Sequence, residues 1–73
     1  MITEIAKEGA CYKFYSLQHS DGDTVTDITR AEVYDFSMNF ITSLTVNNQT
    51  ENTITDPVIL AEVDAHVLAN PYP

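Results

Sequence analysis

The chain has 73 residues, 44% of them apolar, with three basic and eleven acidic side chains and a formal charge of −8. That length allows one domain over residues 1–73, and a domain so small buries only about 60% of its unfolded surface, which leaves it marginal by itself. The charge argues against a general polyanion binder: a basic patch supplies most nucleic-acid affinity, and only Lys7, Lys13 and Arg30 are basic.

A net charge of this size also serves simply to keep a small protein in solution. The single cysteine, Cys11, excludes an intrachain disulfide and a zinc ligand set, so oligomerisation is the remaining common remedy for a small core. No apolar run approaches the roughly 18 residues of a membrane span. No charged-then-apolar leader opens the sequence, and the expectation is a soluble, cytoplasmic protein.

Val, Ile and Thr make up 21 of the 73 residues, a bias toward strands because branched side chains suit a pleated surface. Residues 1–8 read as a short helix with Ile2, Ile5 and Ala6 on one face, and Gly9 supplies the left-handed position that commonly ends one. Residues 10–18 read as a strand, with Tyr12 and Phe14 on one side and Cys11, Lys13, Tyr15 and Leu17 on the other. The run His19-Ser20-Asp21-Gly22-Asp23-Thr24 is a turn. It lacks the further spaced carboxylates of a calcium loop.

From Tyr34 onward the even positions read Tyr34, Phe36, Met38, Phe40, Thr42, Leu44 and Val46, which predicts a strand whose aromatics are buried. A competing helix is written over the same stretch. Thr29 and Glu32 stand at capping-box spacing, and Val33, Phe36, Phe40 and Leu44 recur at helical intervals. Residues 47–52 form a polar turn, and residues 53–55 resume an extended pattern. Asp56-Pro57 suits either the start of a helix or a bulge at a strand edge. The alternation of Glu62-Val63-Asp64-Ala65-His66-Val67 favours a last strand after Val58-Ile59-Leu60. Residues 70–73 are a tail.

The sum is a mostly β fold: a short N-terminal helix over residues 1–8, then five strongly bent strands closing a small barrel over residues 10–69. The alternative is an α+β domain with helices near 30–44 and 57–69.

The helix-first order and the run Tyr34-Asp35-Phe36-Ser37-Met38-Asn39-Phe40-Ile41 resemble the Sm and Sm-like (LSm) family. That family's first motif is an apolar residue, then Asp-x-x-Met-Asn, then aliphatic residues opening the third strand. The small size and acidity are similar to those of divergent phage and marine viral members. The resemblance implies a homo-oligomeric ring for RNA or single-stranded DNA, a weak pocket repeated about five to seven times gaining avidity. It further implies a pocket in which Asn39 pairs with a base edge and Asp35 orients its amide. Ser37 falls at the stacking position with Phe36 beside it, and Asp64 comes from the loop between the last strands. The family's second motif, Ile-Arg-Gly, is absent, and Leu60-Ala61-Glu62 stands in its place.

The same residues have a plainer reading, with Phe36, Met38 and Phe40 as core and Asp35 with Asn39 as a turn pair. Glu62, Asp64 and His66 on one strand face read as solvated groups rather than a metal site. No nucleophile–base set accompanies Cys11 or His19. No cofactor, metal or catalytic activity is therefore expected. The alternative function is an acidic oligomeric scaffold or protein-interaction module, such as a virion component or a nucleic-acid mimic.

Overall fold

In the computed structural model, which describes residues 5–71, the chain first reverses at Gly22-Asp23. Gly22 takes a positive φ of 61° at the first central position of a two-residue turn, the geometry that matches strand twist in a tight hairpin. Strands β1 (Cys11–Asp21) and β2 (Thr24–Tyr34) therefore pair antiparallel without a shift, from Asp21 opposite Thr24 to Cys11 opposite Tyr34. The expected turn over residues 19–24 contracts to its two central residues because His19 and Ser20 continue the ladder.

A loop over residues 35–39 leads into β3 (Phe40–Asn47), which pairs antiparallel with β2 and carries a register irregularity at Val33/Tyr34. Beyond a polar turn, Thr53 makes an isolated bridge to Val46, and the Ile54 N–H donates to the Thr45 carbonyl at 2.8 Å. The helix α1 (Pro57–Ala69) follows. Asp56 caps it, its carboxylate accepting from the Val58 N–H at 2.9 Å, with Pro57 in the first turn. An N-cap acid before a proline is a strong start signal because the proline gives up only an N–H that had no helical partner.

Among the described residues the sheet is open, three strands in the order β1-β2-β3, and no five-stranded barrel closes over residues 10–69. Two causes account for the difference, one of period and one of turn chemistry. The segments expected as strands at 58–60 and 62–67 are α1, where the cap and tertiary packing override a short alternation. The strand expected to run unbroken through residues 34–46 is interrupted by the loop at 35–39. Of the two helices in the alternative, the one over 57–69 is α1, whereas the one over 30–44 does not form, since β2 and β3 occupy its ends.

Of the N-terminal helix expected over residues 1–8, a short 3-10 turn at Ala6–Glu8 is seen, and residues 1–4 lie outside the described residues. Gly9 does not end it in a left-handed conformation. Its φ of −148° and ψ of 174° are extended. Space is what requires glycine there: an added Cβ would collide with Val33 Cγ1 and sit 2.7 Å from the Tyr34 carbonyl oxygen. Of the tail, residues 72 and 73 lie outside the described residues.

The strand period of two places Tyr15, Leu17, Ile28, Arg30 and Thr45 on the face covered by α1. Val63 points into that face with no exposed surface, as does Ile28. The residues flanking Val63 reach outward to the strands. Glu62 contacts His19 of β1, and Asp64 accepts from Arg30 of β2 at 2.8 Å. On the opposite face Ala31, Val33 and Val46 are buried. There the Tyr12 hydroxyl ties down the 3-10 turn by donating to the carbonyls of Ala6 and Gly9. No helix among the described residues is long and apolar enough to cross a membrane.

Candidate functional site

The loop between β2 and β3 is built around one carboxylate. Asp35 Oδ1 accepts from the backbone N–H groups of Ser37 and Asn39, both at 2.9 Å, and Oδ2 accepts from Asn39 Nδ2 at 3.2 Å. Two backbone bonds close the same loop, Met38 N–H to the Asp35 carbonyl and Asp35 N–H to the Asn39 carbonyl, both at 3.0 Å. Asp and Asn favour such turns because their side chains substitute for backbone partners. Met38 completes the turn in the left-handed region, at φ 63°.

Because the polar atoms of this loop satisfy one another inward, its apolar side chains point out. Phe36 is 89% exposed, Met38 51%, Phe40 57% and Ile41 40%. Phe40 packs edge-on against Tyr34, ring centroids 5.8 Å apart, and Lys13 Nζ lies 4.7 Å from the Tyr34 centroid. Burial first, and then the hydrogen bond it donates to Glu32, push the Tyr34 hydroxyl up to about 12, so it remains a donor throughout the physiological range. A groove of about 260 Å³ runs beside the loop, lined by Lys7, Glu8, Gly9, Ala10, Asp35 and Phe36.

The expected site residues separate into two groups. Asp35, Phe36, Ser37 and Asn39 share this loop, where Ser37 contributes its backbone N–H. Asp64 does not join them. It sits on α1 against Arg30, four residues along β2 from Tyr34, a separation of roughly 13 Å at the rise of a strand. Arg30 also donates from Nε to Thr45 Oγ1 at 2.6 Å, so this cluster fastens the helix to the sheet. Phe36, Met38 and Phe40, which their alternation places in the core, lie on the surface instead. The signal for a loop was the Asp35–Asn39 turn pair, which outlines a turn at the very point where the alternation ran on.

The local charge at this end is mixed. Lys7 and Lys13 are accompanied by Glu8, Glu32 and Asp35, so there is no basic patch. The hairpin end carries Asp21, Asp23 and Asp27 and no basic residue. Among the described residues no group of three metal-ligating side chains gathers. Glu62, Asp64 and His66, expected on one strand face, are distributed around α1: Glu62 meets His19, Asp64 meets Arg30, and His66 contacts Asn70.

Hydrogen bonding from the Asn39 backbone, then from its side chain, holds the Asp35 carboxyl below its ordinary 3.8, with the Ser37 N–H adding to this and desolvation opposing it. A depressed folded-state value contributes stability above the unfolded value that is lost as pH falls through the folded one. The Asp35→Asn variant should therefore show a shallower loss of urea resistance than the parent below about pH 4. Equal acid limbs for the two proteins would show that the carboxylate does not hold the loop.

Comparison of the chain with protein-family models, curated proteins and solved structures finds no match to any of them. The fold and loop thus define a class only: a small acidic domain, open-sheeted, with one helix on one face and an apolar loop exposed at one end.

Proposed function

We propose that this chain is a non-catalytic protein-interaction module that docks through the β2–β3 loop. The observation that carries the reading is the exposure of Phe36 at 89%, with Met38 and Phe40 more than half exposed beside it. Contiguous apolar surface on a small soluble domain marks contact sites, and aromatic residues and methionine are enriched where protein interfaces desolvate. The loop is internally bonded before any partner arrives, which lowers the ordering cost of binding. The carboxylates around it and the charge of −8 select a partner with an apolar pocket rimmed by Lys and Arg.

A second reading has one observation in its favour. Asp35 holds the Asn39 amide, and the Phe36 ring is open, so a single unpaired base has a stacking surface and a hydrogen-bonding neighbour. The mixed local charge favours the protein partner, since strand binding is dominated by phosphate neutralisation.

Panning a peptide display library against the folded protein separates the two. Enriched peptides should combine an aromatic or aliphatic anchor with Lys or Arg, and their binding should vanish in the Phe36→Ser/Met38→Ser variant, whose stability changes by no more than about 0.5 kcal/mol per exposed site. Oligo-uridine and oligo-thymidine at low salt should not bind. Saturable oligonucleotide binding lost in both Phe36→Ala and Asn39→Ala would overturn the proposal in favour of the second reading.

A further inference from the structure

The two edges of the sheet are finished differently. The β3 edge is short and partly covered, since Thr53 bridges to Val46 and the Ile54 N–H bonds the Thr45 carbonyl. The β1 edge is eleven residues long, regular in register from end to end, and free of proline. No described element pairs with its outer side. Proteins usually blunt such an edge with a bulge, a proline or central charges. Here the only formal charges are Lys13, third in the strand, and Asp21, its last residue, and neither makes an ion pair among the described residues.

The outward-facing backbone groups follow from the hairpin. The residues flanking a two-residue turn form a hydrogen-bonded pair, and such pairs alternate along an antiparallel ladder. Asp21 is the flanking residue on β1, so the odd positions bond to β2. The N–H and C=O groups of Tyr12, Phe14, Ser16, Gln18 and Ser20 face outward. Their side chains stand perpendicular to that edge, on the sheet face opposite α1, where Phe14, Ser16, Gln18 and Ser20 are exposed.

We propose that β1 pairs antiparallel with β1 of a second copy, joining two three-stranded sheets into one continuous sheet about a twofold axis at Leu17. In this register Lys13 of each copy lies directly across from Asp21 of the other. Phe14 pairs with Ser20, Ser16 with Gln18, and the half-buried Leu17 meets its own counterpart. A shift of two residues would place Lys13 against His19 and lose both charge pairs. The symmetry is closed, because each edge is consumed by the other and no further copy can add there. This inference does not rest on the loop reading. It places the two β2–β3 loops at opposite ends of the joined sheet.

Sedimentation equilibrium of the full chain from about 10 μM to 1 mM measures the association, with thermal melting of each variant as the check on folding. The parent should show a monomer–dimer equilibrium. Ser16→Pro removes an outward N–H without touching the β2 ladder and should leave a folded monomer. Lys13→Glu and Asp21→Lys should each weaken self-association by about tenfold or more, by setting like charges across the axis. Mixing the two variants should restore a dimer, because every facing pair is then of opposite sign. A parent that stays monomeric at the highest concentration overturns the proposal. So does a dimer indifferent to Ser16→Pro, or a mixture no tighter than its components.

Discussion

Replacing Val63 by Asp should undock α1 and remove about 3–5 kcal/mol of stability, because a carboxylate would be desolvated in a fully enclosed position while Arg30 on the facing strand is already held by Asp64 and Thr45. Val63 is the one buried residue of α1 and has no exposed surface, and it faces the sheet side that carries Ile28, itself fully enclosed. A domain of this length holds only about 4–11 kcal/mol in total, so the variant should be largely unfolded at modest urea concentrations. Val63→Ala removes two methyl groups and should cost about 2 kcal/mol by lost transfer energy and the cavity left behind. Ala65→Asp decides between the helix and the strand alternation. On a strand, Val63, Ala65 and Val67 share one face, and an Asp at 65 would be as damaging as one at 63. On α1 the Ala65 side chain is exposed, and the substitution should cost no more than the propensity difference of about 0.7 kcal/mol. Urea midpoints followed by far-ultraviolet circular dichroism measure all three. Equal losses at 63 and 65 would overturn the helix.

That contrast explains how much of the molecule was legible in the sequence. The faces of β1 were read correctly, Tyr12 and Phe14 on one side and Tyr15 and Leu17 on the other, because one side of a half-buried strand must repeat every two residues. The strand alternation competes with the helix expected in the alternative over 57–69 for a physical reason. The outer surface of that helix carries Val58, Ala61, Ala65 and Leu68, so no polar stripe marks a helical period. Six residues that happen to alternate then outweighed the Asp56-Pro57 start signal. The error at residues 35–39 is of another kind. Alternation continued through Phe36 and Met38, but the Asp35 carboxylate offered the backbone a better set of partners than a ladder did. Asp35, Phe36, Ser37 and Asn39 thus share one loop rather than alternating along a strand, and the apolar side chains among them lie on the surface rather than in the core. Asp64 was misplaced along with the strand it was thought to follow. The contacts it and Glu62 make with β2 and β1 depend on side-chain directions that only a helix gives.

Gly9→Ala should destabilise the protein by about 1–3 kcal/mol, the usual cost of forcing a methyl into a packed site. In a domain of this size that lowers the melting temperature by about 4–8 °C for each kcal/mol. The backbone at Gly9 is extended and any residue can adopt it, so strain in φ plays no part. The obstruction is steric and comes from three directions: Val33 Cγ1, the Tyr34 carbonyl oxygen at 2.7 Å, and Ile41 Cδ1 at 3.1 Å. Ile41 can rotate away. Val33 is buried, and the Tyr34 oxygen is fixed by the Ala10 N–H that donates to it at 3.1 Å. An opposing gain of about 0.4–1 kcal/mol from the stiffer unfolded chain is too small to reverse the sign. Trimming the obstacle should recover part of the loss: Gly9→Ala in a Val33→Ala background should cost about 1 kcal/mol less than in the parent, a coupling expected only of residues in contact. The remainder belongs to the carbonyl, which no side-chain substitution removes. Since Gly9 also lines the groove beside Phe36, the single variant should loosen the N-terminal turn from the loop and weaken peptide capture along with stability. A Gly9→Ala protein that melts higher than the parent would mean that this segment does not lie against Val33 and Tyr34.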